Sequence, residues 1–182
     1  MACSRLLDRA RRQLVRATGR FARAEDGATA VEFAIVAIPF LVLVFAIIEL
    51  GLVFLVSVTL ENAVIDVGRT IRTGEAQTGG ATAATFKTAV CNKMGWVGSS
   101  CDSSLSIDVQ TFSDYAASSD ARDGEMPKTM TWNMGTAGSI VLIRAYYSWN
   151  LITPMLQTGL QSANGKRMIT AATAFTNEPY NQ

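Results

Sequence analysis

From Phe33 to Ile48 the chain reads FAIVAIPFLVLVFAII, sixteen residues without a charge. Apolar character then continues through LGLVFLVSVTL to Leu60, interrupted only by Glu49. A helix needs about 20 mostly apolar residues to cross a bilayer. Ala28 to Glu49 alone is about 32 Å of helix, close to one hydrocarbon thickness. The sequence thus predicts a membrane-spanning helix over about 33–55, with Glu49 near its far boundary, where a carboxylate is tolerated. A core helix buried in a soluble domain fits neither the length of this run nor what precedes it.

What precedes it is basic. Residues 1–23 carry seven arginines against one acid, Asp8, although the whole chain has a net charge of only +1. Short flanks rich in Lys and Arg stay cytoplasmic, so the N-terminus is expected inside and everything beyond about Leu60 outside. Arg5, Arg9, Arg12, Arg16, Arg20 and Arg23 recur every three or four residues, and Leu7, Ala10, Leu14, Ala17 and Phe21 form a second stripe. An amphipathic helix on an anionic membrane face has this pattern; an unstructured solubilising tail is the other reading. A basic tail on a slightly acidic body does not describe a nucleic-acid-binding fold. The apolar run is too long for an ordinary secretory signal, and no Ala-x-Ala cleavage site follows it.

Histidine is absent, which removes the commonest general base and the commonest metal ligand. No Gly-rich phosphate loop, serine elbow or paired-carboxylate motif is present, so no catalytic activity, cofactor or metal is expected. Cys91 and Cys101 lie ten apart in a polar stretch outside the membrane. They are expected to form a disulfide, worth about 2–3 kcal/mol for so short a loop, in an oxidising compartment; unpaired thiols are the alternative. Cys3 stays in the basic tail.

A plain anchor does not explain Glu32, which stands near the start of the apolar run. A charge deep in a bilayer costs roughly 2.5–3.5 kcal/mol on insertion scales, and such a residue calls for a partner. The sequence Gly27-Ala-Thr-Ala-Val-Glu32-Phe33 offers one. A cut between Gly27 and Ala28 would make Ala28 a free ammonium one helical turn from Glu32, on the same face. The carboxylate would also favour the positive end of the helix dipole. It could neutralise its own ammonium or that of a neighbouring subunit.

This arrangement resembles the type IV prepilins: a basic leader ending in Gly, a small residue, then Glu at the fifth mature position of a long apolar helix. The segment DGATAVEFAIVAIPFLVLVFAIIELG is similar to the TadE-like family of the Tad/Flp pilus system, with its Glu-Phe, a Pro a few residues on (Pro39) and a second Glu after the run (Glu49). The C-terminal YYSWNLITPM and ITAATAFTNEPY are also similar to that family. The likeness is strong over 24–75 and moderate over 140–180. It implies a minor pseudopilin for pilus assembly and surface attachment, without enzymatic activity, cut after Gly27 by a prepilin peptidase. Its implied partners are the bacterial inner membrane, other pilins or minor pseudopilins, and the assembly platform. It implies a single-pass protein with its C-terminal domain periplasmic or extracellular. The leader is long, and DYAASSDARDGE has no counterpart in the family. Two other readings stay open: a pseudopilin of another secretion system, and an uncleaved single-pass protein whose outer domain binds a ligand or has an enzymatic role.

The expected organisation is a leader over 1–27, a long helix over 28–73 kinked at Pro39, and an extracytoplasmic domain over 74–182. Beyond the membrane, Leu60, Val64, Val67 and Ile71 keep a helical stripe that should pack on that domain. A short helix is expected over 84–95. Strands are expected over 105–112, 128–134, 139–149 and 167–175, with a turn at 135–138 and a short helix or loop over 151–159. The predicted fold class is α+β: a long pilin-like transmembrane helix followed by a small antiparallel sheet. Trp132, Tyr146, Tyr147 and Trp149 form either a binding surface or core. The acids between Asp114 and Glu125 lack EF-hand spacing and read as a solvated loop rather than a calcium site.

Overall fold

A computed structural model describes residues 25–122, 126–153, 159, 161–162 and 165–180. The basic tail with Cys3, the end of the acidic segment at 123–125 and the surroundings of Pro154 lie outside these residues. The chain divides into two compact units, 1–45 and 46–182.

Helix α1 runs from Glu25 to Arg72, with Pro39 inside it. In the first unit its surface is apolar and almost wholly exposed: Phe33, Ile35, Val36, Ile38 and Phe40 are each more than 60% accessible. Among the described residues nothing covers this half, and the helix is long and apolar enough to cross a membrane.

In the second unit the same helix becomes one-sided. Val56, Leu60, Ala63, Val64, Val67 and Ile71 are buried, at the three- and four-residue spacing that forms one helical face. They join a core with Leu105, Ile107 and Val109 of β1 (Leu105–Phe112), Val141, Ile143, Ala145 and Tyr147 of β2 (Ile140–Asn150), and Ile169 and Ala171 of β3 (Lys166–Thr176). The contributing strand residues are all odd-numbered, the period of two that puts one sheet face inward. The sheet is antiparallel in the order β1-β2-β3, with Ile107 opposite Ala145 and Ala145 opposite Ala171. Gly68 lets the helix approach closely: a Cβ there would lie 3.0 Å from Ile143 Cδ1. The α+β class read from the sequence is the class observed.

Around this frame sit α2 (Glu75–Thr78), α3 (Ala83–Lys93), a 3-10 turn (Gly95–Ser100) and α4 (Cys101–Ser104). Thr82 and Thr85 form a reciprocal capping box at the start of α3. The Cys91–Cys101 disulfide is formed, with Cα atoms 5.7 Å apart, and ties α3 to α4. Trp132 packs at 5.5 Å against Phe86 and donates to the Ala81 carbonyl, so it belongs to the core margin.

Two sequence expectations are corrected. Segment 128–134 is not a strand but meets β1 at a single parallel bridge, Val109 to Trp132. Val109 N–H donates to Thr131 O and Asn133 N–H donates to Val109 O, yet Thr131's own N–H turns to the Asp108 carboxylate. A backbone donor captured by a side chain cannot extend a ladder. The first part of the acidic segment is not a loop but α5 (Tyr115–Arg122). Asp114 is its N-cap, accepting from Ala117 N–H at 2.8 Å. That hydrogen bond is the main reason its carboxyl titrates below the usual range, so the cap is intact at neutral pH and is lost as pH falls through the lowered value.

Candidate functional site

Glu49 lies on the buried face of α1, seven residues before Val56, and is 2% exposed. A lone carboxylate in an apolar helix is costly unless donors surround it. Here the chain end of β2 returns to it. Ile152 N–H donates to Oε2 at 3.0 Å and to Oε1 at 3.2 Å, Thr153 N–H to Oε2 at 2.9 Å, and the Thr153 hydroxyl to Oε2 at 3.1 Å. One side chain thus receives three donors from a segment 103 residues away, and the backbone that turns out of β2 has its N–H groups satisfied without a strand partner. From the sequence, Glu49 is expected at a membrane boundary and 151–159 as a short helix or loop, with nothing joining the two. The available signal was a charge amid apolar residues, which by default has a partner.

At the other end of this face the C-terminal tail grips the end of α1. Glu178 N–H donates to the Arg72 carbonyl, and the two side chains form an ion pair at 3.1 Å. The Asn177 amide donates to the carbonyls of Met134 and Thr136. Tyr180 covers Gly74, whose φ is +81°; a Cβ there would stand 2.2 Å from the Tyr180 ring. Asn177-Glu178-Pro179-Tyr180 is therefore a clasp on the helix terminus. Gly74→Ala is expected to destabilise the domain by about 1–2 kcal/mol from the left-handed backbone alone. It should also displace Tyr180, read as a lower melting temperature of the full chain in detergent and faster amide exchange at Glu178. An unchanged melt would show that the tail does not bear on Gly74.

The sheet face turned away from α1 carries a second buried charge arrangement. Asp108 and Arg144 are directly opposite across β1 and β2. Arg144 Nη2 and Nε reach Asp108 Oδ2 at 2.7 and 3.1 Å, and Nη1 reaches the Ala121 carbonyl of α5 at 2.6 Å. Asp108 Oδ1 also accepts from Thr131 N–H at 2.8 Å. This network fastens α5 and segment 130–134 to the sheet. Tyr146 is buried beside it, and burial pushes its phenol up, against a smaller downward pull from Arg144. Tyr147 is pushed up by burial on the core face, with Ser100 opposing. Tyr147 belongs to the core, with Trp149 packed partly buried against it, and Tyr146 is buried on the opposite face of the sheet. Asp108 and Arg144 are the single charges of otherwise uncharged strands, a signal legible in the sequence.

The first unit holds the remaining sequence candidates. Gly27 and Ala28 are within α1, Ala28 exposed; Glu32 is exposed one turn later, and Pro39 is exposed within the helix. A Cβ at Gly27 would meet nothing within 4 Å. Ala28 and Glu32 share a face by helical geometry. Among the described residues no group of three or more acidic or thiol side chains is placed to hold a metal.

Residues 27–69 match the family model described as TadE-like protein. No curated protein and no solved structure matches the chain. The match begins at Gly27, covers Glu32, Pro39 and Glu49, and ends three residues before α1 does. The family to which the Gly27–Glu49 pattern points is thus the one whose model this chain matches: the TadE-like family.

Proposed function

We propose that this chain is a minor pseudopilin of a Tad/Flp-type pilus, cut between Gly27 and Ala28 by a prepilin peptidase and assembled through its apolar helix. The coarse part of this reading, a pilus-associated protein with an apolar helix long enough to cross a membrane, is supported by the TadE-like match and the helix. The observation that carries the finer part is the start of the match at Gly27, with Glu32 one turn beyond Ala28. In the precursor the seven arginines hold the leader on the cytoplasmic side of the inner membrane. After the cut, Ala28 carries an ammonium that must enter an apolar bundle, and Glu32 offers the compensating carboxylate in the same chain or to a neighbour. Nothing in this mechanism asks the chain to catalyse a reaction; its partners are the peptidase, other pilins and the assembly platform. A domain of more than a hundred residues behind the helix suits an initiating or tip subunit better than a bulk fibre subunit.

The role of Glu32 has a direct test. Glu32→Ala is expected to be cleaved as wild type, because the cut is at Gly27, and to give few or no pili by electron microscopy and shear-fraction blots. Normal piliation by this variant would remove Glu32 from the mechanism.

A further inference from the structure

We propose that the base of the globular domain is sunk into the membrane leaflet on its own side, with Ile152 against lipid acyl chains and Trp96 in the headgroup layer. Apolar helix extends from Ala28 to Leu60, about 48 Å, against about 40–45 Å for a bilayer with both interfacial layers. Centring the one on the other leaves the hydrocarbon core, about 30 Å thick, ending near Phe54, so Glu49 lies about 7–8 Å inside it. That is deeper than the boundary position the sequence reading gave it.

Surface exposure supports this depth. On the side of α1 away from the domain, Leu50, Phe54, Leu55 and Val58 are exposed and apolar, and exposed polar residues begin only at Glu61 and Asn62. The domain, however, already packs on α1 at Glu49, three turns earlier. Whatever binds Glu49 is therefore at membrane depth. Irregular backbone survives there only when its polar groups are satisfied within the protein, and Glu49 takes the N–H groups of both Ile152 and Thr153. The Ile152 side chain, 67% exposed, then continues the lipid-facing surface of the helix.

The residues just above have the character of an interfacial belt, where aromatic rings and snorkelling cations gather. Trp96 is half exposed, donates to Thr59 Oγ1 at 3.3 Å and packs at 6.5 Å from Trp149. Lys166 and Arg167 are exposed and pair in register with Asn150 and Trp149, at the end of β2 that leads into Ile152.

The inference rests on α1 being a membrane span, not on cleavage or pilus assembly. The test uses the full chain in lipid nanodiscs, in a Cys3→Ser background with the native disulfide intact. An environment-sensitive fluorophore is placed in turn at Ile152→Cys, at Leu41→Cys within the span, and at Ala137→Cys in the turn at the opposite end of β2. Position 152 is expected to match 41, with blue-shifted emission, strong quenching by nitroxide lipids and several-fold weaker iodide quenching than 137. A label at 152 as open to iodide as 137, or blue-shifted without nitroxide quenching, overturns the proposal while 41 remains lipid-quenched. Loss of lipid quenching at 41 as well would overturn the membrane span and the inference with it.

Discussion

Glu49→Ala is expected to detach Leu151–Thr153 from the helix. The substitution leaves two backbone N–H groups and one hydroxyl without an acceptor in a site from which Glu49 itself is excluded from solvent. Each orphaned buried donor costs about 1–3 kcal/mol, so the two backbone donors alone account for a local loss of about 2–6 kcal/mol. Because about 1.4 kcal/mol is a factor of ten, amide exchange at Ile152 and Thr153 should accelerate by at least about tenfold in the detergent-solubilised chain. Glu49→Gln should fall between wild type and Glu49→Ala, since one oxygen still accepts while the new amide donor faces other donors. Wild-type protection in Glu49→Ala would mean that the segment is held by packing alone and that the carboxylate is incidental.

Arg144→Met is expected to be the most damaging single change in the sheet, at about 3–5 kcal/mol, the usual cost of stranding one member of a buried ion pair. Asp108 is fully buried and its other partners, Thr131 N–H and Gln110, do not neutralise it. The double variant Asp108→Asn with Arg144→Met should recover most of that loss: the amide oxygen still accepts from Thr131, and no buried charge remains. Thermal or urea unfolding of both variants in the full chain measures this. A loss below about 1 kcal/mol for Arg144→Met would place the pair with ordinary surface ion pairs.

These two sites mark where the sequence could and could not be read. The strand over 105–112 is observed at the bounds read from its alternation, and those over 139–149 and 167–175 differ by one residue at each end. Alternation is a local property, and a sheet with one inward face imprints it on each strand. The helix expected over 28–73 is found at Glu25–Arg72 for the same reason: length and apolar period are local. The Cys91–Cys101 bond could be read because few pairings exist. What failed depends on distant partners. Segment 128–134 has β-forming residues, yet the Asp108 carboxylate takes a backbone donor from it. Tyr115–Arg122 has little apolar character, so nothing in its own pattern signalled a helix; it is held by the Asp114 cap and by Arg144 reaching Ala121. Glu49 and Ile152 are 103 residues apart, and no local period connects them.

The two units divide the work in the proposed mechanism. The exposed apolar half of α1 enters lipid or a bundle of like helices, with Gly27, Ala28 and Glu32 at its start. The one-sided half is clasped at Glu49 below and by Asn177–Tyr180 above. Processing at Gly27 would then change the helix start without disturbing the domain.

The most direct test is the intact mass and N-terminal sequence of the protein recovered from membranes of cells with and without their prepilin peptidase. The expected result is a mature chain beginning Ala-Thr-Ala-Val-Glu-Phe only where the peptidase is present, with residues 1–27 still attached where it is not. Retention of residues 1–27 in both samples would contradict the pseudopilin assignment and leave Glu32 as a boundary residue of an uncleaved anchor.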